Sequence, residues 1–385
     1  MYNIELIITC FIILSISLSV WLGTSLTRTN VVTYKSHDGT YVSGYYTTSL
    51  DLYSKNSTTS SAQLTGTGRD GFIAKYDKDG NVVWAAKQSG SSYDVSADVS
   101  TDRNGNVYVS GYYTTSLDLY NKNSTTSSAQ LTGTGRDGFI AKYDKDGNVV
   151  WAAKQSGSGI DTTYSVSTDR YGNVYISGYY TTSLDLYSKN STTSSVQLSA
   201  IFSGYNTGFI AKYDKDGNVK WAAKQGSTPP DGANLKSLKI STDRNGNVYI
   251  AGEFYGNITF YKKDNTPGIS FTGETVDGFI AKYDKDGNVV WAAKQSGSGD
   301  DTIYSVSTDR YGNVYIGGDY YTNTPITLYN SDDSTGVTLS NDGDDSFIGK
   351  YDKDGNVVWA AKQAGSGADC FVNSVSSYYY LEEIQ

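Results

Sequence analysis

The sequence has few of the residues on which most catalytic and metal sites depend. It contains two cysteines, one histidine and one methionine. The cysteines are Cys10, in an apolar N-terminal run, and Cys370, near the C-terminus, so we expect neither a disulfide framework nor a thiolate metal cluster within a folded domain. With His37 as the sole histidine, a His-dependent nucleophilic triad and a histidine metal site are excluded. We therefore expect no metal site and no cofactor.

Positive charge and glutamate are also scarce. The formal net charge is −9 and no run of Lys or Arg occurs, so the chain should repel phosphate backbones and nucleic acid is not an expected partner. A glycoside hydrolase needs a carboxylate pair, but outside the termini the only glutamates are Glu253 and Glu274. Most aspartates lie in repeated turns, and we expect these others to be solvated loop charges: Asp277, Asp300, Asp301, Asp332, Asp342 and Asp345. No catalytic residue is assigned, and an enzyme is the less favoured interpretation.

The one long apolar run spans residues 6–26 and could cross roughly 30 Å of hydrocarbon. A signal peptide normally begins with positive charge, whereas Glu5 precedes this run, so a single-pass anchor is favoured over a cleaved signal that would release a secreted protein. The predicted organisation is a tail at 1–5, the anchor or signal at 6–26, one domain at 27–380 and a tail at 381–385. Four N-x-[ST] triplets favour an external domain over the cytosolic one that Arg28 and Lys35 favour.

A repeat of about 68 residues dominates the domain. The block GFIAKYDKDGNVVWAAK starts at Gly71 and returns, with small changes, at Gly138, Gly208, Gly278 and Ser346. A second block, STDRNGNVYVSGYY at Ser100, recurs between these copies. Each block reads as alternating residues, an Asp-x-x-Gly-Asn turn and a β-rich segment, which is typical of a β-hairpin. Two hairpins per unit give the four strands of one propeller blade, so we expect an all-β, five-bladed β-propeller that follows one N-terminal hydrophobic helix.

One substitution predicts which face of the hairpin is buried. Lys220 replaces the valine found at Val83 and its copies, so that face must tolerate charge and the tryptophan beside it should face the core. The predicted structural core residues are Trp84, Trp151, Trp221, Trp291 and Trp359.

The two paired blocks resemble the SBBP-type beta-propeller repeat family over nearly all of residues 31–380. The resemblance implies a propeller in secreted or surface-associated proteins and implies no catalytic residues. The chain departs from it in having five units, each lengthened by about twenty polar residues that should form a surface loop or a small extra hairpin.

Two recurring motifs could carry binding. The YDKDGN turns resemble the start of a calcium loop, but they lack its remainder, and Asp before Gly-Asn is also what a tight turn needs. Each early unit has a Tyr-Tyr pair, of which one ring should point outward and could stack on a ligand. These rings are the candidate ligand-binding residues Tyr46, Tyr113, Tyr180 and Tyr321.

Near-identical units argue for binding rather than catalysis, because residues 41–91 and 108–158 differ only at Ser54 and Asn121. We expect a non-enzymatic module, anchored in a membrane or secreted, that serves protein interaction or surface structure. A multivalent carbohydrate-binding lectin is the alternative, so the partner is either a protein or a glycan.

Overall fold

A computed structural model of the chain describes residues 31–36, 39–228, 235–321, 324–340, 343–364 and 374–376. These residues form β-strands and turns, with no α-helix among them. The predicted anchor at residues 6–26 lies outside the described residues. Within them, no helix long and apolar enough to cross a membrane is found.

The described strands form three antiparallel sheets, which contain five units with four main strands each. Units 3 and 5 have two further short strands. Unit 1 contains β1 (Val31–Ser36), β2 (Gly39–Leu52), β3 (Ala62–Tyr76) and β4 (Val82–Gly90). Unit 2 contains β5 (Val95–Thr101), β6 (Val107–Tyr120), β7 (Ser127–Tyr143) and β8 (Val149–Ser156). Unit 3 contains β9 (Asp161–Thr168), β10 (Val174–Tyr180), β11 (Ser183–Tyr187), β12 (Ser194–Ser199), β13 (Thr207–Tyr213) and β14 (Val219–Thr228).

Units 4 and 5 repeat the same order. Unit 4 contains β15 (Lys236–Thr242), β16 (Val248–Tyr261), β17 (Pro267–Tyr283) and β18 (Val289–Ser296). Unit 5 contains β19 (Asp301–Thr308), β20 (Val314–Tyr320), β21 (Ile326–Tyr329), β22 (Thr335–Leu339), β23 (Asp345–Tyr351) and β24 (Val357–Gln363). In units 3 and 5, β11–β12 and β21–β22 are separate strands that correspond to the outer halves of the long strands in the other units.

These outer halves are the polar inserts, and each folds as an extension hairpin. The extension hairpins of units 2 to 5 each pair with the unit before. In unit 2, Leu119 pairs with Gln88 on β4 of unit 1. The extension hairpins of units 3, 4 and 5 pair in the same way with β8, β14 and β18. Because the fourth strand of a unit would otherwise be an exposed edge, each extension hairpin covers an aggregation-prone edge of its neighbour.

The Asp-x-x-Gly-Asn turns use their carboxylates internally. Asp144 Oδ1 accepts the backbone N–H groups of Asp146 and Asn148, at 2.9 and 2.8 Å. Gly147 takes a φ of 84°, which suits glycine. This hydrogen-bonded turn fixes the register of β7 on β8 and leaves the carboxylate little freedom to bind a metal ion.

The hydrophobic core lies between successive units. Trp84 of unit 1 is 2% exposed and packs on Tyr143 of unit 2, with ring centroids 6.5 Å apart. Beside it, Gln88 donates its side-chain N–H to the Tyr143 hydroxyl at 2.9 Å. The equivalent glutamine–tyrosine bond joins units 2 to 3, 3 to 4 and 4 to 5. The equivalent stacking of tryptophan on tyrosine joins units 2 to 3 and 4 to 5. We call these four interfaces the junctions.

The two ends of the array are less covered than its interior. On unit 5, Trp359 is 38% exposed, whereas the other four tryptophans of the repeat are at most 5% exposed. On unit 1, Tyr76 is half-buried, although its equivalents Tyr143 and Tyr213 are fully buried. Beside unit 5, the backbone N–H of Val375 donates to the Ser305 hydroxyl at 2.8 Å. At the junction of units 3 and 4, Ile240 makes the equivalent bond to Ser165.

Candidate functional site

The structure places most of the predicted ligand-binding tyrosines inside the protein. The rings of Tyr46, Tyr113 and Tyr180 are at most 2% exposed, and Tyr321 is half-buried. Tyr46 packs edge-on against Phe72 at 6.4 Å, which makes it part of the core of unit 1. A ring buried in this way cannot stack on a ligand from solvent. In units 1 and 2 the other member of the pair, Tyr45 or Tyr112, is half-buried, whereas Tyr179 and Tyr320 are buried as well.

The outward tyrosine of unit 1 belongs to an arginine cluster. The guanidinium carbon of Arg69 lies 4.4 Å from the centroid of Tyr45 and 5.2 Å from that of Tyr93. Tyr93 is 56% exposed and comes from the loop that leads into unit 2. A parallel β-bridge joins Arg69 to Tyr93, and the carbonyl of Arg69 accepts the N–H of Asp94 at 2.7 Å. The cluster is therefore held by backbone bonds across the junction.

Unit 2 repeats this arrangement. Arg136 lies 4.7 Å from the centroid of Tyr112, and a parallel bridge joins it to Ile160, which is 43% exposed. We call the two clusters together the Arg–Tyr rim: Arg69, Tyr45, Tyr93, Arg136, Tyr112 and Ile160. Arginine and tyrosine are the residues most enriched where proteins bind proteins, because each combines apolar area with directional hydrogen bonding.

The same positions change character along the array. Strand register aligns Tyr45 and Tyr112 with Tyr179, Glu253 and Asp319. The position of Arg69 and Arg136 is occupied in units 3, 4 and 5 by Asn206, Val276 and Asp344. This end therefore carries arginine and tyrosine at units 1 and 2, whereas at units 4 and 5 it carries Glu253 and Asp344, which are half-buried, and Asp319, which is buried. Such polarity orients a charged partner and steers its approach.

The opposite end of the units carries the turns. There, Arg170 stacks on Tyr171 at 4.6 Å and Arg310 on Tyr311 at 4.7 Å. These pairs lie within single turns and bridge no junction. They provide arginine–tyrosine contacts of matched chemistry away from the Arg–Tyr rim.

Acidic and metal chemistry find little support in the described residues. No cluster of three or more His, Cys, Asp or Glu side chains that could hold a metal ion occurs there. The expectation that Asp277, Asp301 and Asp345 are solvated loop charges is wrong, because all three are at most 3% exposed.

Of the predicted core residues, Trp84, Trp151, Trp221 and Trp291 are buried and Trp359 is partly exposed.

Sequence reasoning missed Arg69 and Arg136, although a signal was present. Both stand in TGTGRDGF segments, where arginine directly precedes the first hairpin block of a unit. Units 3, 4 and 5 lack arginine at that point. The difference between units, rather than their similarity, marks the site.

Comparison with known proteins gives distant likenesses. No family model matches the chain, so the resemblance to SBBP-type repeats stays a prediction. Regulatory protein FlaEY of Caulobacter vibrioides is 26% identical over 147 residues, which cover 38% of this chain and 14% of that protein. An uncharacterized WD repeat-containing protein, L264, of Acanthamoeba polyphaga mimivirus is 26% identical over 419 aligned positions. That alignment covers 77% of this chain and 29% of L264, so the chain spans less than a third of the length of either relative.

Proposed function

We propose that the chain is a non-enzymatic β-propeller module that binds a protein partner through the Arg–Tyr rim. The five units would be its blades, because each has four antiparallel strands and buries its core against the next unit. The similarity to a WD repeat-containing protein supports this architecture. The observation that carries the binding role is the polarity of one end: arginine and tyrosine at units 1 and 2, and carboxylates at the equivalent positions of units 4 and 5.

The rim is suited to binding a partner because its arginine side chains are partly exposed to solvent and are held in place by tyrosine rings. Arg69 is half-buried between two tyrosine rings, so little side-chain entropy remains to be lost when a partner binds. Tyr93 and Ile160 add exposed apolar area next to the two arginines. An acidic patch on a protein partner would meet both features.

A matched pair of double variants tests this function. We expect Arg69→Ala with Arg136→Ala to abolish capture of partner proteins by the immobilised full chain. Arg170→Ala with Arg310→Ala removes arginines stacked on tyrosine at the other end and should leave capture unchanged. Equal retention by both double variants would overturn the role of the rim. If both double variants are still retained on an immobilised glycan panel, the lectin alternative would be favoured.

We also propose that unit 5 closes on unit 1 to complete a five-bladed ring. The supporting observation is that the two half-exposed ends carry matching halves of a junction. Trp359 and Gln363 on unit 5 correspond to Trp84 and Gln88, and Tyr76 on unit 1 corresponds to Tyr143. Closure would bury these groups as the four junctions bury theirs.

The membrane attachment predicted from residues 6–26 belongs to the same proposal. An N-terminal anchor would display the rim to partners on one side of a membrane. Carbonate extraction of membranes from expressing cells tests it, because an anchored chain stays in the pellet and a secreted chain is found in the medium.

A further inference from the structure

Three of the four junctions bury a pair of aspartates, one from each unit. At the junction of units 2 and 3 the pair is Asp137, on β7, and Asp161, at the start of β9, which are 1% and 0% exposed. The corresponding pairs are Asp70 with Asp94 and Asp277 with Asp301, and none of these residues is more than 2% exposed.

In both halves of a pair, a glycine stands four residues before the aspartate and contacts its carboxylate. The Asp137 carboxylate fills the space where a Cβ on Gly133 would stand. Asp161 Oδ2 accepts the N–H of Gly157 at 2.6 Å, and Asp94 Oδ2 accepts that of Gly90 at 2.5 Å. Glycine is required at Gly133 because the Asp137 carboxylate fills the space of a Cβ, and at Gly157 because a Cβ there would lie 1.9 Å from the carbonyl oxygen of Ser183.

The surroundings of Asp161 disfavour its charge. Burial raises the pKa of Asp161 to about 8, and repulsion from Asp137 and Asp185 adds to the rise. The hydrogen bond from the N–H of Gly157 acts in the opposite direction and lowers this pKa. The phenols of Tyr113 and Tyr180 also face it. Asp161 Oδ1 has no hydrogen-bond partner among the described protein groups.

The surroundings of Asp137 act in both directions. Burial raises its pKa, while the Ser156 hydroxyl, the Lys154 ammonium and the N–H groups of Thr134 and Gly135 lower it. The raising effect of burial prevails. The Lys154 ammonium partly offsets the cost of ionising Asp137.

The other two junctions behave alike. Burial raises the pKa of Asp94 to about 7, with repulsion from Asp70 and Asp118 opposed by the N–H groups of Gly90 and Thr114. Burial and repulsion from Asp277 raise the pKa of Asp301 to about 8, and repulsion from Asp300 raises it further. The hydrogen bond from the N–H of Gly297 lowers it.

The junction of units 3 and 4 is a natural control. Strand register aligns Asp161 with Leu235, and Asp137 with Thr207. Leu235 is 0% exposed and packs in the core with Trp221 and Phe254. This junction closes around apolar groups with no carboxyl at either position.

We propose that the junctions of units 1 with 2, 2 with 3 and 4 with 5 are proton-dependent, and that each loosens when the buried aspartate of its second unit, Asp94, Asp161 or Asp301, loses its proton. A buried carboxyl that faces a second carboxyl costs free energy to ionise, so the folded junction binds protons more tightly than the unfolded chain. Stability from these groups is complete below the ordinary carboxyl pKa and is lost as pH rises to about 7–8. The junction of units 3 and 4 keeps its stability throughout.

Hydrogen exchange of the full chain at pH 6 and pH 8.5, corrected for intrinsic rates, tests this inference. Protection of β5, β9 and β19 should fall at least about tenfold, since one proton changes an opening equilibrium about tenfold per pH unit. Protection of β15 should not change. An equal fall in all four strands, or no fall, would overturn the inference.

Two variants isolate the cause. Asp161→Asn keeps the shape of the side chain and should remove the pH response of β9 while leaving that of β5 intact. Thr207→Asp with Leu235→Asp should give β15 a response it lacks. If that double variant does not fold, Asp161→Asn decides alone. A response that is abolished by CaCl2 at pH 8.5 would mean that a cation, and not a proton, neutralises the pair, and would overturn the proposal.

Discussion

Trp84 donates its indole N–H to the backbone carbonyl of Lys145, in the next unit, at 3.2 Å. Lys145 lies in the Asp-x-x-Gly-Asn turn of unit 2, so one hydrogen bond links the core of one unit to the turn of its neighbour. Trp151, Trp221 and Trp291 make the same bond across the following junctions. A buried indole N–H needs such a partner, which is why the turn and the tryptophan recur together.

Removing a junction tryptophan should be strongly destabilising. Trp221→Ala leaves a cavity between units 3 and 4 and should lower the free energy of unfolding by about 3–5 kcal/mol. If the ring closes as proposed, Trp359→Ala should cost a similar amount. Urea unfolding followed by far-UV circular dichroism measures both. A cost below about 1 kcal/mol for Trp359→Ala alone would contradict closure, and the same small cost for Trp221→Ala would contradict its role in the core.

Glycine in the turn of the first block is required twice over. Gly147 has a φ of 84°, and a Cβ there would lie 2.8 Å from Cδ2 of Trp84. Gly105, in the turn of the second block, has a φ of 77° and would meet only the side chain of Lys145, at 3.4 Å.

Gly105→Ala should therefore cost about 1–2 kcal/mol from backbone strain. Gly147→Ala should cost about 1–3 kcal/mol more, because the tryptophan must also move. Thermal unfolding of the two variants makes the comparison. Equal losses would show that the ring accommodates the methyl group without strain.

The turn aspartates should contribute through hydrogen bonds rather than metal binding. Asp214 Oδ1 accepts the N–H groups of Asp216 and Asn218, at 3.0 and 2.9 Å. Asp214→Ala should cost about 1–2 kcal/mol, whereas Asp214→Asn keeps an acceptor oxygen and should cost less. Added CaCl2 should leave the melting temperature of the wild type unchanged. A large calcium stabilisation that Asp214→Ala removes would restore the metal interpretation.

The repeated part of the fold was predictable from the sequence because its signals are local. Alternation in GFIAKYDKDGNVVWAAK, the Asp-x-x-Gly-Asn turn and the fixed spacing predicted two hairpins per unit. Lys220 predicted the exposed face correctly, since Val83 is 51% exposed beside the buried Trp84. The pairing of Leu119 with Gln88 of the preceding unit was not predictable, because it depends on the rotation between units.

The sites were harder to predict, because burial there overrides composition. Strand alternation predicted that one tyrosine of each pair points inward, but the sequence alone did not identify Tyr46 rather than Tyr45. Asp301 was predicted to be a solvated loop charge, yet its spacing from Gly297 places it inside a junction. Units that differ from the consensus, such as unit 4 with Leu235, showed which positions are buried once the structure was known.

The stability of the whole chain should have an acidic maximum, because its two groups of aspartates respond to pH in opposite ways. In the turns, the pKa of Asp144 is lowered, since hydrogen bonds from Asn148 and Asp146 outweigh its partial burial. Stability from such groups is present above the ordinary carboxyl pKa of 3.8 and is lost as pH falls below it. At the junctions, Asp161 has a raised pKa, and its contribution is lost as pH rises towards about 8.

The melting temperature should therefore peak between about pH 4 and pH 6. Scanning calorimetry from pH 3 to pH 9 measures this profile, and Asp161→Asn should flatten the alkaline limb while leaving the acid limb in place. A maximum above pH 8 in the wild type would mean that the buried carboxyls are ionised at little cost.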